Sequence, residues 1–344
     1  MRAWRLAAAL VVLAEAAAPQ PVQGADMPPL VLDSTIPLEH VSGRIDHMAV
    51  DLGRRRLIVA ELGNGSVEII DLTGSKPVRR IGGLKSPQGV AAVADRIIVA
   101  SADDGTVRLF DAVDFAQVGV IALDGDADNV RVVPGSSHVV VGYGKGGLAI
   151  IEPVTGVKIS EFRLAGHPEG FQLHPADGRV FVNVPDARRI SVIDGARGTE
   201  VASWKPPDLR ANFPMAIDQD GARVASVFRQ PARLVLFDAA TGAVAANVET
   251  CGDADDVFFD TARQRIYVSC GEGVVDVLQE DGAKPRRIAR VPTSSGARTS
   301  LFVPELDRLF VYGSVGQDRA YDFDQLHDRN GIEEVQANEA LLTR

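Results

Sequence analysis

Short apolar runs of about four to six residues recur along this chain, alternate with polar positions and are separated by turns. The clearest copy begins at His167-Pro168-Glu169-Gly170, a turn, followed by the alternating strand Phe171-Gln172-Leu173. Pro175-Ala176-Asp177-Gly178 places Pro and Gly where a hairpin needs them. Arg179-Val180-Phe181-Val182-Asn183 is a β-branched and aromatic run, and 185–188 is a loop. Ile190-Ser191-Val192-Ile193-Asp194 alternates and stops on Asp, and Gly198 turns the chain into Glu200-Val201-Ala202-Ser203-Trp204. The spacing of two predicts strands; a helical repeat would need apolar spacings of three and four over ten or more residues.

The pattern repeats. A basic residue opens the second run of each copy: Arg56, Arg96, His138, Arg179, Arg223, Arg265 and Arg308, at separations of 40, 42, 41, 44, 42 and 43 residues. Third runs stop at Asp71, Asp111, Glu152, Asp194, Asp238, Gln279 and Asp324. Four short antiparallel strands per period of this length make one blade of a β-propeller. The sequence therefore predicts an all-β, seven-bladed β-propeller over residues 25–325, with four antiparallel strands per blade. The last copy ends after its third strand near Asp324. The run from Leu30 to Leu38 is expected to supply its fourth strand, closing the ring and covering two sheet edges. Residues 326–344 do not repeat and are expected to be a C-terminal tail, with Ile332 to Leu342 either weakly helical or unordered.

The copy from His167 through Arg179-Val180-Phe181-Val182-Asn183 to Ile193-Asp194 resembles the YVTN-repeat, or YncE-like, β-propellers. Arg265-Ile266-Tyr267-Val268-Ser269 and Arg308-Leu309-Phe310-Val311 look like the same strand. The resemblance covers about residues 43–325 and departs at His138, at Gln279 and at the short turn Ala94-Asp95. It implies an exported bacterial or archaeal propeller and assigns no catalytic residue. Equivalent repeat positions serve repeat geometry, so the basic series reads as structural rather than as a ligand site.

Residues 1–24 read as an export signal: Arg2 and Arg5, then the apolar Leu6 to Ala14, then small residues before Ala25. A periplasmic or secreted location follows. No later segment is long and apolar enough to span a bilayer. Without Arg2, Arg5 and Glu15 the formal charge of −10 becomes −11. That balance opposes nucleic acid and anionic membrane surfaces as partners. Cys251 and Cys270 are a candidate disulfide, with two buried thiols or a redox pair as alternatives. Trp204 is the only tryptophan after the signal and no Cys-x-x-Cys-His occurs, which disfavours quinone and haem cofactors.

In a propeller the loops entering each first strand surround the channel mouth. Here they carry the ligand-binding candidates Asp46, His47, Asp128, Asn129, His167, Glu169, Asn212, Asp255, Asp256 and Arg298. Asp46, Asp128, Asn129, Glu169 and Asp255 form an oxygen donor set suited to Ca²⁺ or Mg²⁺. Turn chemistry alone also favours Asp and Asn at such positions. No nucleophile–base spacing supports catalysis. The expected function is a non-catalytic, exported monomer that binds a protein, peptide or small molecule on its polar loop face. The alternative is a metal-assisted, lactonase-like hydrolase at the channel mouth.

Overall fold

A computed structural model describes residues 28–282, 284–315 and 329–337. Residues 1–24, read as an export signal, and the Asp324 stop lie outside them. Six blades are each built from four consecutive antiparallel strands, spanning residues 48–82, 87–122, 127–163, 171–204, 210–249 and 254–292. The expectation of seven blades is corrected to six. The remaining sheet is not a seventh copy but a composite of both chain ends, with Ser300–Val303 innermost, then Arg308–Val315, Arg329–Ala337 and Leu30–Leu38.

That composite overturns a second expectation. Arg329–Ala337 is neither tail nor helix. It is a strand paired on one side with Leu30–Leu38 and on the other with Arg308–Val315. The single-copy pattern missed it because residues 316–328 separate it from Arg308–Val315, so it falls out of the period. Both its edges are paired, which is how a ring avoids open strand edges.

The core is distributed around the ring. Each pair of neighbouring sheets shares one apolar cluster, because each blade presents its alternating residues to the blades on either side. Ile58, Val67 and Ile69 of the first blade pack with Ile97, Val99 and Phe110 of the second. Ile36 and Phe310 of the composite sheet pack with Leu57 and Val59 of the first blade.

Four of the repeated basic residues act between blades. Arg56 donates to the Ala112 carbonyl of the second blade at 2.6 Å, and Arg179 to the Ala239 carbonyl of the fifth at 2.7 Å. Arg223 reaches Glu280 of the sixth blade, and the fully buried Arg265 reaches the Pro29 carbonyl. Ala112, Ala239 and Glu280 each follow a third-strand stop, so one geometric position in the repeat receives these contacts. Arg96 and Arg308 depart from the rule: Arg96 turns to Asp111 of its own blade and Arg308 to Asp33 of its own sheet.

Cys251 and Cys270 form a disulfide with Cα atoms 5.9 Å apart. It ties the approach to the sixth blade's inner strand to the end of its second strand.

Candidate functional site

Strand register fixes which residues share a level around the channel. Two positions after each repeated basic residue, the partner on the inner strand is Ala49, Ala91, Arg131, Gln172, Ala216, Phe258 or Leu301. Two residues earlier stand His47, Gly89, Asn129, Gly170, Pro214, Asp256 and Thr299. One residue before those come Asp46, Gln88, Asp128, Glu169, Phe213, Asp255 and Arg298. The channel is thus layered: charged at the mouth, then an apolar level carrying one cation, Arg131.

Neighbouring inner strands approach closely at the mouth. His47 N–H donates to the Gln88 carbonyl and Gly170 N–H to the Phe213 carbonyl. A Cβ at Gly89 would lie 2.0 Å from the Asp128 carbonyl oxygen, so only glycine fits that approach.

These levels enclose a cavity of about 630 Å³. It is lined by Asp46, His47, Asp128, Asn129, His167, Glu169, Asp255, Asp256 and Arg298, all candidates from the sequence. Arg44, Arg131 and Arg229 also line it. Asn212 does not. It is buried between the fourth and fifth blades, where it donates to Asn183 Oδ1 at 2.8 Å and to the Arg189 carbonyl at 3.1 Å. These bonds satisfy the amide nitrogen, while Asn212 Oδ1 is buried without a hydrogen-bond partner.

Most mouth charges are already paired. Asp128 sits between two imidazoles, with His47 Nε2 3.6 Å from one oxygen and His167 Nε2 3.7 Å from the other. His167 Nδ1 meets the Gly144 carbonyl at 2.6 Å. Burial opposes charge on both rings, but Asp128 outweighs it and raises each pKa to about 9. Burial would raise the Asp128 pKa; the two histidines reverse that and hold it well below the usual carboxylate range. Arg44 pairs with Asp46 at 2.6 Å. Arg229 and Arg298 clamp Asp255 from two sides, at 2.5 and 3.1 Å, and both also reach Asp253.

Three groups stand apart. Among the described residues the Glu169 carboxyl has no hydrogen bond or ion pair; burial and the Asp128 charge push its pKa up to about 7. Asp256 accepts from the Ser300 N–H at 2.7 Å, and burial lifts it to about 7 as well. Arg131 makes one hydrogen bond, to the Val130 carbonyl, and lies 5.7 Å from the Phe171 ring centroid. Asp128 Oδ1 and Asn129 Oδ1 are buried without a hydrogen-bond partner.

The expected cation donor set is not gathered into one shell. Among the described residues no three His, Cys, Asp or Glu side chains group as metal ligands. Asp46 and Asp255 face arginines, and Asp128 faces two histidines held protonated, which compete with a metal ion for the same oxygens. Sequence reasoning missed Arg44 and Arg131, and placed Arg229 only in the outer ring of the same face. The signal for Arg131 was present: it is the one charged residue at its repeat position, where most copies carry an apolar one.

No family model matches this chain, and no curated protein matches it in sequence. The YVTN-repeat assignment therefore has no sequence-family match behind it. Solved structures do share the fold. A chain from the crystal structure of a mitotic checkpoint complex superposes with a TM-score of 0.75 at 12% identity, over 97% of this chain and 99% of that one. A chain of Kuenenia stuttgartiensis hydrazine synthase gives 0.71 at 14%, over 85% and 96%. At these identities the likeness establishes a β-propeller and nothing of its chemistry.

Proposed function

We propose that this protein is an exported, non-catalytic propeller of the YVTN-repeat type whose channel captures a small ligand. One observation carries the reading. In a cavity of about 630 Å³ the mouth charges are largely neutralised in pairs, while Arg131 and Glu169 keep polar groups unpartnered and facing the space. That is the form of a binding pocket: mostly shaped walls with a few convergent polar groups. Export is supported by the residue 1–24 pattern and by the Cys251–Cys270 disulfide, since disulfides persist in oxidising compartments. The checkpoint-complex neighbour belongs to a protein assembly; a protein partner here is the competing outcome.

The test is a thermal-shift screen of small metabolites on the mature chain, repeated on Gln88→Trp. Gln88 is partly exposed at the mouth and makes only a 3.5 Å contact to Asp126, so the larger ring should obstruct the cavity without disturbing a blade. Hits lost in the variant support the reading. Hits retained in full, or none from the screen, remove it. Adding Ca²⁺ or Mg²⁺ to chelator-treated protein tests the hydrolase alternative; saturable binding lost in Asp128→Asn would favour it.

A further inference from the structure

Arg131 is the cation least accounted for in the channel. Its level is otherwise Ala49, Ala91, Ala216, Phe258 and Leu301, with Gln172, whose amide is engaged by the Met215 carbonyl at 2.8 Å. One residue further along the inner strands the cavity is lined by Val50, Ala92, Val132, Ile217, Phe259 and Phe302. No carboxylate lies within 4.0 Å of the Arg131 guanidinium among the described residues. Asp256 and Asp128 sense its charge from further away, and burial lowers its pKa. Arginine remains charged even so. Arg131 is partly buried on the cavity wall, and a charge withdrawn from bulk water without a direct partner is unfavourable, so folding alone gives no reason to keep one here.

We propose that the channel is a site for a small amphipathic carboxylic acid, its carboxylate held by Arg131 and its hydrocarbon part lying in the apolar layer beyond. This deepens the small-ligand reading and rests on it. A planar guanidinium with free N–H groups matches a carboxylate in bidentate geometry. A monoanion fits better than a dianion, because the other cations lining the space, Arg44, His47, His167, Arg229 and Arg298, already face aspartates. The unpartnered Glu169 would keep its proton in mildly acidic solution, so it would donate to such a ligand rather than repel it.

The experiment is calorimetric titration of the mature protein with hexanoate, hexan-1-ol and acetate at pH 6. Hexanoate should bind at least about tenfold tighter than either comparison compound, as a charge-assisted contact plus buried methylenes requires. Arg131→Gln should reduce hexanoate to the level of hexanol, and its unliganded form should melt higher than the parent because the unpaired charge is gone. Arg131→Lys should bind with intermediate affinity, and it serves if the glutamine variant does not fold. Equal binding of hexanol and hexanoate overturns the role of Arg131 while leaving a small-molecule channel intact. Equal binding of acetate overturns the amphipathic class. If none of the three binds but screen hits blocked by Gln88→Trp persist, the acid proposal falls alone; if those hits are absent as well, both readings fall.

Discussion

Arg179 opens the second strand of the fourth blade, and its guanidinium donates to the Ala239 carbonyl of the fifth blade at 2.7 Å. The same side chain lies 5.2 Å from the Phe181 ring centroid and bonds Asp177 through Nε at 2.8 Å. It therefore couples a turn, an aromatic core residue and the next blade. Arg179→Ala should destabilise the fold by about 2 kcal/mol, the scale of a hydrogen bond from a charged group plus lost packing. Urea unfolding measures this. Arg96→Ala, where the inter-blade contact is missing, should cost clearly less; equal losses would refute the stapling role.

Stability should fall as pH rises from about 5 to about 9. The histidine contributions follow from pKa values of His47 and His167 raised from 6.5 to about 9. A raised basic group contributes fully below its unfolded pKa and loses that contribution as pH climbs through the folded one. Glu169 acts in the same direction over a lower window, between 4.5 and about 7, because the fold must ionise a buried carboxyl there. Urea midpoints across this range test the slope. The His47→Gln, His167→Gln double variant should flatten the upper part, and the Glu169→Gln, Asp256→Asn double variant the lower part, since burial lifts Asp256 to about 7 as well. A rising profile would contradict the assignment.

Reduction of the Cys251–Cys270 disulfide, which joins residues 19 apart in sequence, should lower stability by about 3 kcal/mol on the loop-entropy scale. Both cysteines are fully buried, so reduction should require partial unfolding and proceed slowly in native buffer. Thiol labelling with and without denaturant measures both. Rapid reduction of the native protein would count against this burial.

Asn212→Ala should weaken the fold by about 1–3 kcal/mol, by removing donors to Asn183 and to the Arg189 carbonyl in a closed interface. Ligand hits should bind the folded variant unchanged. A selective loss of binding would return Asn212 to the site.

The level of each channel residue was legible before any coordinates. His47, Asn129 and Asp256 stand at the same repeat position, two residues before Ala49, Arg131 and Phe258, which register places at one height. Arg131 was equally countable, as the odd member of an apolar repeat position. What periodicity does not carry is whether a charge is satisfied: nothing in the spacing pairs Arg44 with Asp46 or leaves Arg131 without a carboxylate.

The sequence by itself determined the strands, their antiparallel order within each blade, the outer edge strand Leu30–Leu38 and the structural purpose of the repeated arginines. Alternation and period are local, and a hairpin meander converts them directly into blades. Tertiary structure alone decided the third strand of the closing sheet, because Arg329–Ala337 joins it through pairing with strands on both sides, one of them far away in the chain. It also decided which mouth residues meet, since Asp128, His47 and His167 come from three blades. Charges from different blades find one another only when the ring closes, and the cation left over, Arg131, is defined by that closure.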